Sequence, residues 1–127
     1  MQIYTLDIVP IPKGRPRVTK AGIGYTPKRT REYEQKLKNF LFIQCRLPPL
    51  NEAVTILIDI RLPKLKSSTK STWPTPIGDI DNYAKAILDA ANGILFTDDR
   101  LIDNLTLRKQ YSKTPGITLT IKLTEEK

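Results

Sequence analysis

The stretch Gly78–Asp103 reads GDIDNYAKAILDAANGILFTDDRLID, and the rest of the chain is organised around it. It contains six of the 13 acidic residues in a chain whose formal net charge is +8. Those six are Asp79, Asp81, Asp89, Asp98, Asp99 and Asp103. Carboxylates gathered in one place repel one another and raise each other's pKa, whereas a bound divalent ion reverses that penalty. The stretch therefore predicts a site for a hard metal ion on a protein that otherwise favours polyanions.

The same stretch carries the pattern of an amphipathic helix. Its apolar residues, Ile80, Ala84, Ile87, Leu88 and Ala91, recur at helical spacing. Gly93 follows where a helix C-terminal cap belongs. We predict a helix over Asp81–Asn92, with Asp79 and Asp81 at its N-terminus.

Each acidic pair also has a simpler explanation. Asp79 or Asp81 alone could serve to cap the helix, because aspartate is favoured there and interacts well with the helix dipole. Lys85 could form an exposed pair with Asp81 across one turn, worth only a few tenths of a kcal/mol. Asp98 and Asp99 could form an ordinary turn. Two carboxylates one residue apart at the start of a helix nevertheless exceed what capping needs.

Outward from this stretch, the pattern alternates between strands and one more helix. Alternating apolar residues, or runs rich in Val and Ile, predict strands over Gln2–Val9, Ala53–Leu62, Asn104–Tyr111 and Ile117–Leu123. Apolar residues at helical spacing predict a helix over Pro27–Cys45, with Thr26 as its N-cap and Pro27 as its first residue. The sequence thus predicts one α+β domain over residues 1–127, in which two helices pack on a small mixed sheet.

The basic residues fall into three segments. Residues 13–20 form a basic arm without an acid, and the glycines that follow favour a hairpin into Tyr25. The outer face of the first helix is basic, and residues 63–76 form a cationic loop that either contacts DNA or is simply solvated. The candidate DNA contacts are Lys13, Arg15, Arg17, Lys20, Lys28, Arg29, Arg31, Lys64, Lys66 and Lys70.

Composition narrows the class of protein. The chain has 127 residues, enough for one core, and no apolar run approaches a membrane span. The N-terminus has no signal-peptide pattern, and the single Cys45 cannot form an intramolecular disulfide. We therefore expect a cytoplasmic protein with no membrane partner.

The residue types exclude several kinds of chemistry. The sequence has no His, which removes zinc-hydrolase ligands and Ser-His or Cys-His nucleophile systems. An EF-hand fails because its fifth and sixth positions would be Tyr83 and Ala84 rather than an oxygen ligand and Gly. No phosphate-binding Gly-rich loop is present. A few oxygen ligands favour Mg2+, with Mn2+ as a substitute, and a phosphodiester as the substrate.

Two blocks of sequence resemble the RusA-type Holliday junction resolvases, including phage and prophage members. The first block is the acidic pattern Asp79-Ile-Asp81-Asn82 with Lys85, Asp89 and the pair Asp98-Asp99. The second is the basic arm and helix, PKGRPR at residues 12–17 and YTPKRTREY at residues 25–33. The resemblance covers nearly the whole chain, and the loop over residues 63–76 is longer and richer in Ser and Thr than in compact members.

The resemblance implies an Mg2+-dependent endonuclease that cuts four-way DNA junctions by paired symmetric cleavage in recombination and repair. It implies Asp79, Asp81 and Asp99 as metal-binding catalytic carboxylates, and Lys85 as the essential cation beside them. Asp98 is an additional candidate metal ligand, although the family's pattern favours Asp99, the second member of the pair. The expected setting is the cytoplasm of a bacterial or phage-infected cell.

Two classes of function remain at this stage, a nuclease and a non-catalytic basic module that binds nucleic acid. Net charge supports both, but carboxylates near DNA repel phosphate unless a metal intervenes, which favours the nuclease. We also expect a symmetric homodimer, because a junction needs two related cuts and one chain has one acidic stretch. Ile94, Leu95 and Phe96 could contribute to its interface or belong to the core.

Overall fold

A computed structural model of the protein describes residues 1–13, 17–18, 20–22, 24–25, 27–64 and 79–125. In chain order, the described elements are β1 (Gln2–Leu6), β2 (Arg17–Val18), β3 (Gly24–Tyr25), α1 (Lys28–Gln44), β4 (Val54–Leu62), α2 (Ile80–Ala91), a 3-10 turn (Asp99–Leu101), β5 (Ile102–Tyr111) and β6 (Gly116–Leu123).

The main sheet has four strands in the order β1-β6-β4-β5. Strand β6 pairs antiparallel with both β1 and β4, whereas β4 and β5 are parallel. Parallel strands need a crossover, and α2 supplies it between β4 and β5. The mixed sheet with two helices confirms the predicted α+β class.

Alternation along the strands creates the core. In β4, Ile56, Ile58 and Ile60 are fully buried, and their partners in β6 are Ile121, Leu119 and Ile117, also fully buried. Burying each such side chain contributes roughly 1.5–3 kcal/mol. The helices cover this face of the sheet.

The helices present different faces to that core. Helix α1 buries Tyr33, Leu37 and Leu41 at helical spacing. Helix α2 buries mainly alanines together with Tyr83 and Ile87, and such small side chains allow close approach. At the end of α2, Gly93 adopts φ +86, a left-handed conformation that glycine tolerates, and its N–H donates to Phe96 O at 2.8 Å.

Several predicted boundaries change for identifiable reasons. Strand β1 ends at Leu6 rather than Val9, because its partner β6 begins at Gly116 and pairing stops at Leu6 with Ile117. Pro27 is the N-cap of α1, with extended backbone, rather than its first residue. Strand β5 begins at Ile102, where it meets Val54 of β4. Thr26, the predicted cap, lies outside the described residues.

The segment after α2 belongs to the core rather than to an exposed interface. Leu95 and Phe96 are 1% and 0% exposed, and Ile94 packs against the same cluster. The backbone of this segment is also fixed, since Leu50 N donates to Leu95 O and Thr97 N donates to Leu50 O, each at 2.9 Å. Of the two alternatives, a dimer interface or the core, burial in the core holds for Leu95 and Phe96.

The predicted hairpin is present in the described backbone of the basic arm. Strands β2 and β3 pair antiparallel, Arg17 with Tyr25 and Val18 with Gly24. Gly22, between them, has φ +82, which glycine adopts without the steric cost other residues meet.

Candidate functional site

Asp79 and Asp81 lie exposed at the start of α2. Asp79 is the N-cap residue by its backbone, whose carbonyl accepts from Asn82 N at 3.1 Å, but its side chain makes no capping hydrogen bond. Asp81 lies in the first turn, where the helix dipole stabilises a carboxylate. Neither side chain forms an ion pair with a described residue. Side-chain capping therefore does not account for Asp79.

Lys85 lies on α2 one turn after Asp81 and is exposed. Within the described part of the chain, its ammonium forms no ion pair with Asp81. An exposed ion pair with Asp81 across one helical turn therefore does not explain Lys85. Its charge remains available to a bound anion beside Asp79 and Asp81.

The second acidic pair begins the 3-10 turn, and its two members have different roles. Asp98 is the N-cap, and its Oδ1 accepts from Arg100 N at 3.0 Å, while Arg100 Nε lies 3.7 Å from Asp98 Oδ2. The hydrogen bond from the Arg100 backbone, followed by one with Asp99, lowers the pKa of Asp98 below its ordinary value. Asp98 is thus a turn cap, and Asp99 is an exposed neighbour with no cationic partner among the described residues.

The remaining two acids of the stretch serve the fold. Asp89 Oδ2 accepts from Lys13 Nζ at 2.6 Å, so the cation it holds is a lysine of the same chain. Asp103 accepts a hydrogen bond from the Thr124 hydroxyl. Asp89, Asp98 and Asp103 thus have partners that serve the fold. Asp79, Asp81 and Asp99 have no cationic partner among the described residues, and Asp99 shares a hydrogen bond with its neighbour Asp98.

Helix α2 separates these three carboxylates within one chain. It has 12 residues, which makes it about 18 Å long, with Asp79 and Asp81 at one end and the 3-10 turn beyond the other. The described residues contain no group of three or more acidic or cysteine side chains placed to hold a metal ion. One chain therefore offers two separate carboxylate groups rather than a converged triad.

The donor set of the first group fits a hard divalent ion. Mg2+ keeps several waters and is commonly bound by one or two carboxylates together with substrate phosphates. Asp79 and Asp81 supply two exposed carboxylates without internal partners. These two carboxylates could hold such an ion together with a phosphodiester. Asp99 of the same chain lies beyond the far end of α2 and does not complete this group.

Three of the predicted DNA contacts lie near the start of α1. Lys28, Arg29 and Arg31 are exposed at the start of α1, and Lys28 makes only a weak exposed pair with Glu32 at 3.7 Å. The start of α1 therefore presents exposed cations to which a phosphate could bind.

The other predicted DNA contacts have varied outcomes. Lys20 and Lys64 are exposed. Arg15, Lys66 and Lys70 lie outside the described residues, and of Arg17 only the backbone is described. Lys13 differs from all of them, because its side chain is only 19% exposed and is held by two carboxylates. Its ammonium is therefore not free for a phosphate.

A cavity of about 520 Å³ was not foreseen from the sequence. It is lined by Pro63, Lys64, Tyr111, Ser112 and Lys113, with Lys64 Nζ 5.9 Å from the centre of the Tyr111 ring. It lies at the carboxyl ends of the parallel strands β4 and β5, a common place for ligands in sheets with parallel strands. Of the described residues that line it, two are cations and none is an acid, which suits an anion. The sequence analysis missed Lys113 because its position is typical of a turn. The β4-α2-β5 crossover makes β4 and β5 parallel, so Lys64 and Lys113, which follow these strands, lie at the same edge of the sheet.

An α+β fold, a net charge of +8 and exposed carboxylates without a cationic partner among the described residues are typical of metal-dependent enzymes that act on nucleic acids. Residues 7–122 match the family described as Endodeoxyribonuclease RusA. The chain belongs to the RusA endodeoxyribonuclease family.

A curated relative is also similar over part of the chain. It is the uncharacterized protein YqaN of Bacillus subtilis (strain 168), which is 37% identical over 49 residues, 39% of this chain and 34% of that protein. The match spans about a third of the relative's length. As for membranes, the described helices include none that is both long and apolar enough to cross one.

Proposed function

We propose that the protein is an Mg2+-dependent endonuclease that resolves four-way DNA junctions by paired symmetric cleavage, in the cytoplasm of a bacterial or phage-infected cell. The observation that carries this proposal is the division of the acidic stretch. Asp89, Asp98 and Asp103 have structural partners, whereas Asp79, Asp81 and Asp99 have no cationic partner among the described residues. Unpaired carboxylates on a chain of net charge +8 are suited to a metal ion.

The proposed chemistry assigns a role to each group. When bound by these carboxylates, Mg2+, or Mn2+ in its place, supplies a water of lowered pKa and polarises the scissile phosphate. Lys85, exposed one turn from Asp81, stabilises the charge that develops on the phosphate oxygens. Since the sequence has no His, a carboxylate or a neighbouring phosphate accepts the proton of the attacking water.

A single experiment tests the class of function. The protein is incubated with a synthetic four-way junction and with linear duplex of the same sequence, each with Mg2+ and with EDTA. We expect cleavage only when the junction and the metal are both present. Tight binding of the junction without cleavage in either Mg2+ or Mn2+ would instead favour the alternative, a non-catalytic basic module.

The working unit in this proposal is a homodimer that joins the separated carboxylates. In an antiparallel arrangement of two chains, the end of one molecule that carries Asp99 lies beside the end of its partner where α2 begins. Such an arrangement builds two equivalent sites, each with two carboxylates of one chain and one of the other. A twofold dimer also matches the symmetry of a junction that is cut twice.

Strand β5 offers an edge for this dimer. It is the outermost strand of the sheet, and no other described strand pairs with its outer edge. Leu105 lies on its helix-facing side, level with Ile56, yet is 41% exposed. The opposite edge is capped at Thr5, because the Gln44 side chain donates to Thr5 O at 2.8 Å and accepts from Thr5 N at 3.3 Å. Capping of this kind hinders pairing at β1 and favours β5 as the edge for the partner.

Substitution of Leu105 tests this interface. Leu105→Arg places a charge at the proposed twofold contact, so we expect the dimer to dissociate and cleavage to be lost with it, as measured by analytical ultracentrifugation and junction cutting. Leu57→Arg is the matched control, since Leu57 is 43% exposed on the other face of the sheet. A Leu105→Arg protein that stays dimeric would place the interface elsewhere.

The DNA surface of the proposal comprises the exposed cations at the start of α1 and the cavity that contains Lys64 and Lys113. We expect Arg29→Gln together with Arg31→Gln to flatten the slope of log affinity against log salt by about two units, because each lost phosphate contact removes a little under one. The measurement is junction binding in EDTA over a range of salt concentrations. The double variant Arg46→Gln and Lys122→Gln removes the same charge away from this surface, and its slope should not change. Equal slopes for both double variants would exclude α1 from the footprint.

A further inference from the structure

Lys13 joins the start of the basic arm to both helices. Its Nζ lies 2.9 Å from Glu34 Oε1 on α1 and 2.6 Å from Asp89 Oδ2 on α2. Its backbone N–H donates to Asn82 O, in the first turn of α2, at 3.0 Å. We call Lys13, Glu34 and Asp89 the lysine clamp.

The clamp keeps its charges although it is partly buried. The side chains of Lys13 and Glu34 are 19% and 17% exposed. Burial acts to lower the pKa of Lys13, but hydrogen bonds from Lys13 to Asp89 and Glu34 outweigh it, and the net shift is upward. The ammonium is therefore charged at neutral pH and bonded in a fixed geometry, unlike the exposed pair of Lys28 with Glu32.

The position of the clamp connects it to the proposed active site. Asn82, whose carbonyl oxygen binds the Lys13 backbone, directly follows Asp81. Four residues after Lys13 the chain enters β2 of the basic hairpin at Arg17. The arm therefore leaves the body of the protein at the helical turn that carries the first acid pair. A phosphate held by the arm would lie at a distance from Asp79 and Asp81 that depends on this attachment.

We propose that Lys13 is a positioning residue that, through Glu34 and Asp89, sets the register between the basic arm and the acid pair Asp79 and Asp81, and so determines which phosphodiester is cut. This inference rests on the proposed nuclease function. It assigns Asp89 to Lys13 rather than to the metal, and it removes Lys13 from the set of direct phosphate contacts. A loosened clamp lets the arm grip phosphates in more than one register.

The test compares Lys13→Met, Lys13→Arg and the control Lys36→Met, which removes the same charge from the exposed surface of α1. The cut positions on a labelled four-way junction are mapped at nucleotide resolution, with kcat and KM measured separately and the folded state checked by thermal unfolding. For Lys13→Met we expect cuts to spread to neighbouring phosphodiesters and kcat/KM at the wild-type position to fall on the order of 100-fold, as misplacement by about 1 Å can cause. Lys13→Arg, which can hold both carboxylates, should restore the single position, and Lys36→Met should leave it unchanged.

Milder variants keep the test decisive if Lys13→Met does not fold. Glu34→Gln and Asp89→Asn each remove one charge of the clamp while keeping shape, and each should produce a partial spread of cut positions. Folded clamp variants that cut at the wild-type position alone, with only a lower melting temperature, would reduce the clamp to a tie between helices and overturn the inference. A wild-type protein that cuts no junction would overturn the proposed function first, and this inference with it.

Discussion

Replacing Asp79, Asp81 or Asp99 by Asn is expected to abolish junction cleavage while junction binding persists or tightens. Each change removes the charge of a proposed metal ligand but barely changes its volume. The loss in rate should exceed about 100-fold, the upper range for residues that merely orient metal ligands. It is measured as single-turnover cleavage in Mg2+, beside binding in EDTA.

The structure supplies a matched control for this prediction. Asp98 is adjacent to Asp99 but caps the 3-10 turn, and Asn is an equally good cap. Asp98→Asn should therefore retain most of the activity. If it is as inactive as Asp99→Asn, both members of the pair bind the metal, and if Asp99→Asn is active, the proposed set of ligands is wrong.

Stability provides a second contrast between the two kinds of acid. The side chains of Asp79, Asp81 and Asp99 are exposed and have no cationic partner in the described part of the chain, so their substitution should change the free energy of unfolding by no more than about 0.5 kcal/mol. Asp89 is bonded to a partly buried lysine, and its loss should destabilise the protein more. A residue whose substitution lowers activity without lowering stability has a functional rather than a structural role.

The local elements of the fold could be predicted from the sequence because their signals are local. Richness in Val and Ile identified β4, alternation identified β6, and helical spacing identified α1 and α2 to within one or two residues. The family resemblance was likewise carried by short blocks, and the family match over residues 7–122 confirms it. Proline and glycine positions indicated the connections but not the last residue of each element, which depends on the partner strand.

The arrangement of the site could not be predicted in the same way, because it depends on contacts distant in sequence. Lys13 looked like one more cation of the basic arm, and only the packing of α1 on α2 places Glu34 and Asp89 around it. The six acids looked like one cluster because they are close in sequence. The 12 residues of α2 span about 18 Å. Acidic residues on either side of this helix are therefore close in sequence but far apart in space.

That separation leads to the second prediction, which concerns mixed dimers of two inactive chains. Asp81→Asn and Asp99→Asn are each expected to be inactive alone. If each site takes Asp79 and Asp81 from one chain and Asp99 from the other, a heterodimer of the two variants contains one site with both substitutions and one intact site. Cleavage should then reappear on mixing, as one nick per heterodimer.

The measurement uses heterodimers purified through two different affinity tags and a supercoiled plasmid that carries a cruciform. The mixed dimer should convert the plasmid to open circles without linearising it, whereas wild-type dimers linearise it. Heterodimers of wild-type and Asp81→Asn chains serve as the reference for one working site and should nick at a similar rate. If every site is instead built within one chain, both sites of the doubly mixed dimer are defective. The plasmid then stays supercoiled while the reference heterodimer still nicks it, and that pair of results would exclude a shared site.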